Sequence, residues 1–381
     1  MINRLCSLYA RSVIDRMFVG MLVSIVALFC SAAAMAESRD YYRAEIAVRS
    51  QDKGERSRAA SEGLMQVLYR ITGSQAGLES EYVLSRLGKA LSFVEQFQFR
   101  ALDDPKIRAQ GYQEYMRMRF SEAVIESLIV DAGLSLWPTS RPNTLIWLVE
   151  DHPEFGRQTF NEFSEHPLIT QLTQSSVVRG LPLSYPLLDL EDQLAVSADD
   201  VWTFNEQAIK EASQRYEADA ILVGRVTTLS NGKLWSSWQF YHDGAVRQYD
   251  VRAESAMVDI GLQALTPLAD FLANKYAFVP EAQTSPSLVM YVSGITDFSA
   301  YYKTLAYIEG LALVNSVSLL EVRQDVLSLS VATESSLELL LRTLKLDKKI
   351  AAQTATSQQP AWEQARQGTA ENPLRFYWLG R

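Results

Sequence analysis

Three predicted strands in the middle of the chain end in polar side chains that could bind a ligand. The first runs into Glu150-Asp151-His152, the second into Asp189-Leu190-Glu191-Asp192, and the third into Gly224-Arg225. Because the carboxyl ends of parallel strands meet at one edge of an open α/β sheet, these groups are expected to converge there. Carboxylate oxygens are hard ligands that suit a divalent cation, and they also attract cationic ligands. The candidate ligand-binding residues are therefore Asp151, Asp189, Glu191, Asp192 and Arg225.

A simpler interpretation of the same residues stays open. Loops at strand ends are polar because water surrounds them, and aspartates there often cap turns. On this interpretation Asp189 and Asp192 cap turns or pair with Arg225. The sequence does not identify a metal, and it predicts no cofactor.

Motifs of the common enzyme classes are missing from the sequence. The chain has no G-x-S-x-G nucleophile elbow, no phosphate loop of the Walker type and no G-x-G-x-x-G fingerprint. Its histidines, His152, His166 and His242, lack the spacing that holds a metal from one helix face, and each is expected to be a surface or loop residue. No residue is therefore assigned a catalytic role, and the sequence favours a protein without catalysis of its own.

Composition and charge exclude several classes of protein. With 48% hydrophobic residues, a chain of 381 residues can form two or three packed domains, so wholesale disorder is excluded. The net charge of −9 makes a nucleic-acid backbone an unsuitable partner. Between positions 141 and 280 there are 10 basic and 19 acidic residues, so the acidity is concentrated in the middle region.

The segment Met1–Ala36 is typical of a cleavable signal peptide. Three arginines precede or adjoin an apolar run from Met17 to Phe29, and Ala34 and Ala36 form an A-x-A cleavage pattern. The run is shorter than the ~20 residues of a membrane-spanning helix. We expect cleavage after Ala36 and a periplasmic location, and a retained membrane anchor is the alternative. Both cysteines lie in this segment, so the mature chain would contain no disulfide. No later stretch is apolar enough and long enough to cross a membrane, so we expect no transmembrane helix in the mature chain.

Three domains of mixed α+β and α/β class are predicted after that segment. Residues 37–140 follow the order β-α-α-β-β-α, a small α+β domain. Residues 141–280 follow β-α-β-α-β, typical of a parallel sheet, and continue as an antiparallel β-meander at Asn231-Gly232 and Asp243-Gly244. Residues 281–381 follow the ferredoxin-like order β-α-β-β-α-β, although this segment could also simply pack onto the middle domain. The predicted elements include a strand at Leu183–Leu188, one helix from Ser197 to Tyr216, a polar stretch at Ala351–Asn372 and a last strand at Leu374–Leu379.

A series of motifs in the first two domains resembles a known family. The motifs are Arg141-Pro-Asn-Thr-Leu-Ile-Trp147, Arg179-Gly-Leu-Pro-Leu183, Tyr185–Asp192, Ala212–Arg225 and Gly232…Trp235…Trp238. Over about Tyr41 to Tyr276 the chain resembles a secreted, uncharacterised bacterial family, domain of unknown function 2066. That family has no assigned activity, so the resemblance implies no catalytic residue. More loosely, the middle domain resembles the amino-terminal domain of TolB-type periplasmic proteins and the flagellar assembly T protein, which implies a fold and not a function.

These observations predict a non-enzymatic binding or assembly protein of the cell envelope. Its partners would be envelope proteins, contacted through the acidic middle domain or through the aromatic strands around Trp235–Tyr241 and Phe376–Trp378. Alternating aromatic residues on a strand also fit simple packing against a core. The alternative function is a metal-binding or small-ligand-binding protein, or a hydrolase, that uses the acidic strand ends. A solute-binding receptor is a third possibility.

Overall fold

The computed structural model describes residues 40–75, 78–229, 233–253, 260–280, 287–333, 335–353 and 366–380. The predicted signal segment Met1–Ala36 and the Asn231-Gly232 turn lie outside these residues. The described residues form three β-sheets and eleven α-helices, the mixed α+β and α/β multidomain architecture that the sequence predicts. Within these ranges every helix is too short or too polar to span a bilayer.

The first sheet is small and antiparallel. Its region consists of β1 (Arg43–Val48), α1 (Lys53–Thr72), α2 (Glu81–Leu87), β2 (Val94–Ala101), α3 (Pro105–Arg108), β3 (Glu114–Phe120) and α4 (Glu122–Asp131). The strand order is β1-β3-β2. Alternate residues of β1 are buried because α1 covers one face of the sheet. Asp52 caps α1 by accepting a hydrogen bond from the Glu55 N–H, and Gly73 ends it with a φ of 70°.

The middle region combines a parallel core with an antiparallel meander, as predicted. Its elements are β4 (Thr144–His152), β5 (Gly156–Phe160), α5 (Pro167–Arg179), β6 (Leu183–Ser184), α6 (Leu190–Ala195), α7 (Ala198–Trp202), α8 (Glu206–Ser213), β7 (Ala220–Thr228), β8 (Leu234–His242), β9 (Ala245–Ala253) and α9 (Ile260–Tyr276). The sheet order is β5-β4-β7-β8-β9, and β6 pairs with β4 off this path. Strands β6 and β7 run parallel to β4, and β8 runs antiparallel to both of its neighbours, β7 and β9. The turn between β8 and β9 has positive φ at Asp243 and Gly244, as a tight hairpin requires.

Four features of this region differ from the prediction. The strand expected at Leu183–Leu188 is only the two residues of β6, because Pro186 has no N–H to continue a ladder. The helix expected from Ser197 to Tyr216 is divided, because Phe204 adopts a φ of 55°, outside the helical range. The loop expected after β4 contains the hairpin strand β5, and α6 was not predicted.

The carboxyl-terminal sheet follows the ferredoxin-like order only as far as its second helix. Its elements are β10 (Leu288–Ser293), α10 (Phe298–Glu309), β11 (Val314–Arg323), β12 (Val326–Thr333), α11 (Leu337–Asp347), β13 (Ile350–Ala352) and β14 (Leu374–Trp378). The order is β11-β12-β10-β14-β13. The unpredicted strand β13 begins before the expected polar stretch and overlaps its first residues, and three residues are too few to show a periodicity. The last strand lies between β13 and β10 and runs parallel to β10, which adds a strand to the predicted arrangement.

Apolar cores cover both faces of the middle sheet. One core runs without a break from the α1 face of the first sheet to the face of the middle sheet that α5 and α9 cover. A second core lies under α7 and α8 on the opposite face and contains Trp147 and Val223. A separate core fills the carboxyl-terminal sheet. Burial on both faces explains why residues 145–149 of β4 are all apolar.

Arg141 joins the first region to the middle region at the predicted boundary between residues 140 and 141. Its side chain is buried between the rings of Tyr41 and Trp137, each 4.2 Å from the guanidinium carbon. Its nitrogens donate only to backbone carbonyls, including Arg70 O at 3.0 Å and Gly180 O at 2.9 Å. Both acceptors lie at helix ends, where carbonyls lack partners within the helix. Burial lowers the pKa of Arg141, yet the ordinary arginine pKa is so high that the group stays charged.

Candidate functional site at the Asp189 segment

The structure places the five predicted ligand residues in three locations. Asp151 lies near the end of β4, opposite Arg157 of β5. Arg225 lies inside β7, and its Nη1 donates to the Trp202 carbonyl at 3.0 Å. The other three residues, Asp189, Glu191 and Asp192, begin α6. Among the described residues, no hydrogen bond or ion pair joins Asp151 or Arg225 to the start of α6.

The short strand β6 explains why the predicted convergence at one sheet edge does not occur. It pairs only with Thr144 and Leu145, at the amino end of β4. The chain that follows β6 therefore leaves the sheet near its amino-terminal edge. Asp151 lies at the other end of β4. A strand rises by roughly 3.3 Å per residue, so the two ends of β4 are far apart. The predicted ligand groups are thus divided between the two ends of the sheet.

Arg215 brings the three acidic residues of α6 together. Its Nη1 and Nη2 donate to the two carboxylate oxygens of Asp189 at 2.8 and 3.0 Å, a bidentate geometry. Nη1 also donates to Asp192 Oδ1 at 3.1 Å and lies 3.5 Å from Glu191 Oε2. The guanidinium of Arg215 lowers the pKa of Asp189 to about 2, and the N–H of Asp192 contributes to the shift. Asp189 is therefore an ionised cap and ion-pair partner.

Asp192 is buried and fully engaged in local structure. Its Oδ2 accepts hydrogen bonds from the Leu188 N–H at 2.8 Å and the Tyr216 hydroxyl at 2.5 Å. The Tyr216 hydroxyl in turn accepts from the Leu187 N–H at 2.9 Å. Burial and the Asp192 carboxylate raise the pKa of Tyr216 to about 12. The residues Asp189, Asp192, Arg215 and Tyr216, named here the clasp, hold the backbone from Leu187 to the start of α6.

The clasp positions apolar side chains in solvent. Leu187, Leu190 and Leu194 are 55%, 71% and 79% exposed, and the last two lie one turn apart on α6. Phe163, which is 78% exposed, lies on the neighbouring loop, where Asn161 Nδ2 donates to the Leu187 carbonyl at 3.4 Å. We name Phe163, Leu187, Leu190 and Leu194 the α6 patch. Exposed apolar groups gathered in this way are typical of protein interaction surfaces.

A pair formed by the buried Glu150 and the half-buried His166 lies at the carboxyl ends of β4 and β7, where the sequence predicts a ligand. Glu150 Oε2 is 3.2 Å from His166 Nε2, and Glu150 Oε1 accepts from the Thr228 hydroxyl at 2.5 Å. His166 Nδ1 accepts from the Leu168 N–H at 3.2 Å and so caps α5. Because Nδ1 is an acceptor, the proton resides on Nε2 and points to Glu150. The hydrogen bond from His166 lowers the pKa of Glu150 against the effect of burial.

The remaining histidines and the aromatic strands have structural environments. His242 was expected at the surface but is buried, with Nε2 3.0 Å from the Tyr276 hydroxyl and Nδ1 2.8 Å from the Asp219 carbonyl. His152 stacks on Phe155. On β8 the side chains of Trp238, Phe240 and Tyr241 are buried, while Trp235 is 54% exposed. On β14, Phe376 and Trp378 are buried and Tyr377 is half-exposed. Packing therefore accounts for most of the aromatic alternation.

Metal ligands are not gathered in the part of the chain that the structure describes. No group of three His, Cys, Asp or Glu side chains there is arranged to hold an ion. Sequence reasoning did not identify Arg215, Tyr216 or the His166 contact to Glu150. Each depends on a pairing between distant parts of the chain, such as the 26 residues between Asp189 and Arg215, that no local pattern encodes.

Comparison with known proteins finds a family model of unknown function that matches part of the chain. Residues 35–138 match a domain of unknown function (DUF8605), which covers the first region. This match is consistent with an uncharacterised family. No curated protein matches the chain. A solved structure described as the crystal structure of an uncharacterized protein is 11% identical, covers 36% of this chain and 89% of its own, and has a TM-score of 0.15. So low a TM-score gives no support to any statement about fold or function.

Proposed function

We propose that the protein is a non-enzymatic binding or assembly protein of the cell envelope, and that the α6 patch docks a partner protein. The observation that carries the proposal is which groups the acidic residues bind. The carboxylates of Asp189 and Asp192 are occupied by Arg215, Tyr216 and backbone N–H groups, and the segment they hold presents Leu187, Leu190 and Leu194 to solvent. Rigidly held apolar anchors are the usual centre of a protein interface.

The chemistry of the partner follows from the charges around the patch. Glu162 and Glu165 are exposed on the loop of Phe163, and Glu191 is exposed on α6. The surrounding region from 141 to 280 carries the excess of acidic residues noted above. A complementary partner surface would have an apolar centre with lysine or arginine at its rim. We propose an envelope protein with such a surface as the occupant.

The proposed location rests on the amino-terminal sequence. The arginines, the apolar run and the A-x-A pattern of Met1–Ala36 support export and cleavage after Ala36, which would place the protein in the periplasm. The motifs from Arg141 to Trp238 support the finer relationships to domain of unknown function 2066, and more loosely to TolB-type proteins and the flagellar assembly T protein. These relationships belong to the same proposal.

Site-specific photocrosslinking in cells tests the proposed docking surface. A photoreactive phenylalanine analogue replaces Leu194 in the patch and, as the matched control, Tyr302, which is 65% exposed on α10. We expect a discrete adduct of higher mass only from position 194. Leu190→Glu in the same chain should remove that adduct, because it places a charge in the centre of an apolar interface. Equal adducts from positions 194 and 302, or an adduct that survives Leu190→Glu, would contradict the proposal.

A second candidate function draws on the Glu–His pair. Glu150 and His166, with Asp151 beside them, lie at the carboxyl edge of parallel strands, where α/β proteins bind ligands. This arrangement supports a metal-binding or small-ligand-binding protein, or a hydrolase. Calorimetric titration with calcium, magnesium and manganese tests it. Binding heat that His166→Asn abolishes would support this candidate, and no heat at millimolar metal would reject the metal-binding form.

A further inference from the structure

The strand β2 leaves one edge of the first sheet open. It is the terminal strand in the order β1-β3-β2, and the residues from Glu95 to Gln98 are all exposed. Within the described ranges no other strand pairs with its outer edge. An unpaired edge presents backbone N–H and C=O groups that can pair with a further strand. The edge lies outside the α6 patch.

The two faces of the sheet differ in chemistry along this edge. Gln96 and Gln98 pair with Arg119 and Arg117 on the face that α1 leaves open. Phe97 pairs with Met118 on the opposite face and is 45% exposed. Side chains of paired residues share a face, so one face of the edge is basic and the other is apolar.

A groove of about 730 Å³ follows the edge and includes residues from both faces. Its charged lining consists of Arg43, Arg56, Arg117, Arg119 and Glu95, so the groove is basic. The guanidinium carbon of Arg56 lies 5.8 Å from the centre of the Phe97 ring, and its buried Nε has no hydrogen-bond partner among the described residues. The apolar lining includes Leu91, Val94 and Phe97.

We propose that the edge of β2 binds an extended segment of a partner protein in which acidic and apolar residues alternate. Successive side chains of an added strand point to opposite faces. Acidic side chains would therefore meet Arg119 and Arg117, and the apolar ones between them would lie beside Phe97. Arg117 Nε already pairs with Glu45 at 2.9 Å, so an acidic side chain opposite it would share that guanidinium with Glu45. Backbone hydrogen bonds to β2 supply affinity, and the two faces supply specificity.

The charge of the β2 edge also argues against a second copy of this chain as its binding partner. Pairing of two β2 edges would bring Gln96, Gln98 and Arg100 of one copy to the basic face of the other. Arg100 already pairs with Glu45 and Asp103 of its own copy, so no carboxylate is left to complement that face. Like charges placed opposite each other destabilise a strand pair. An acidic strand has the complementary charge.

The test uses the whole chain and three labelled peptides of eight residues. The probe alternates glutamate and valine, the first control has the same composition in two blocks, and the second alternates lysine and valine. Fluorescence anisotropy measures binding, and hydrogen exchange measures protection of the amides of residues 94–101. We expect the probe to bind about tenfold more tightly than either control and to protect β2.

Charge substitutions on β2 give the matched variants. Gln98→Glu should weaken binding of the probe about fivefold, Gln98→Lys should strengthen it, and Ser318→Glu on the exposed strand β11 should leave it unchanged. Leu190→Glu in the α6 patch should also leave it unchanged, so a failure here is distinguishable from a failure of the α6 proposal. Equal binding of the alternating and block peptides, or binding without protection of β2, would overturn the inference. A peptide-free dimer that protects β2, or anionic vesicles that bind in place of the probe, would also overturn it.

Discussion

Arg215 holds both carboxylate oxygens of Asp189 across 26 residues of sequence, at 2.8 and 3.0 Å. This pairing changes the interpretation of the acidic residues that begin at Asp189. The run contains the carboxylates that the sequence suggests for a ligand, but two of them are occupied by protein groups. Their effect is to fix the backbone of the α6 patch. The clasp thus positions the exposed leucines of the α6 patch.

Removing one hydroxyl from the clasp should loosen the segment. Tyr216→Phe deletes the donor to the buried Asp192 carboxylate and the acceptor of the Leu187 N–H. We expect a loss of about 1 kcal/mol in the free energy of unfolding, the usual net value of a hydrogen bond. Hydrogen exchange at Leu187 and Leu188 should quicken. Tyr302→Phe, at an exposed tyrosine, is the control and should change neither quantity.

Acid should weaken the clasp through Asp189. The pKa of this group in the folded protein is about 2, below its ordinary value of 3.8. Its stabilising contribution is therefore complete above about pH 4 and is lost as the pH falls from there towards 2. Asp189→Asn keeps a capping side chain and removes the charge. Urea unfolding at pH 5 and pH 2.5 should show that the difference between wild type and Asp189→Asn shrinks in acid.

Glu191→Gln provides the control for that pH profile. Glu191 is 71% exposed at its side chain and lies 3.5 Å from Arg215, a weaker contact. Its substitution should leave the wild-type pH profile unchanged. A constant difference between wild type and Asp189→Asn from pH 5 to pH 2.5 would contradict the role assigned to the Asp189 charge.

The sequence predicts the sheet of the middle region better than it predicts the site. Long apolar runs such as Thr144–Val149 identify buried strands directly, because burial on both faces leaves no room for polar alternation. The site prediction placed Asp189 directly after a strand at Leu183–Leu188, at the carboxyl edge of a parallel sheet. Because β6 has two residues beside the start of β4, Asp189 lies away from the carboxyl edge. Strand length in a Pro-containing segment depends on tertiary pairing, which periodicity does not reveal.

Arg141 should be among the most sensitive positions in the chain. Arg141→Met would leave several buried carbonyls without donors, including Arg70 O and Gly180 O. We expect a loss of roughly 3 kcal/mol or more in the free energy of unfolding. Arg141→Lys should lie between wild type and Arg141→Met, because an ammonium cannot reproduce the guanidinium fork. Denaturant unfolding measures both, and a Met variant as stable as wild type would contradict the assignment.

The adduct at position 194 in an Arg215→Met background tests the central claim most directly. Arg215 is a clasp residue that lies outside the α6 patch, so a role in positioning predicts that Arg215→Met reduces crosslinking to the background level. Lys210→Ala removes an exposed ion pair with Glu206 and a contact of the ammonium with the Tyr241 ring, but no clasp contact, and should leave the adduct at the wild-type level. An undiminished adduct from Arg215→Met would show that the patch docks its partner without the clasp, and it would contradict the account.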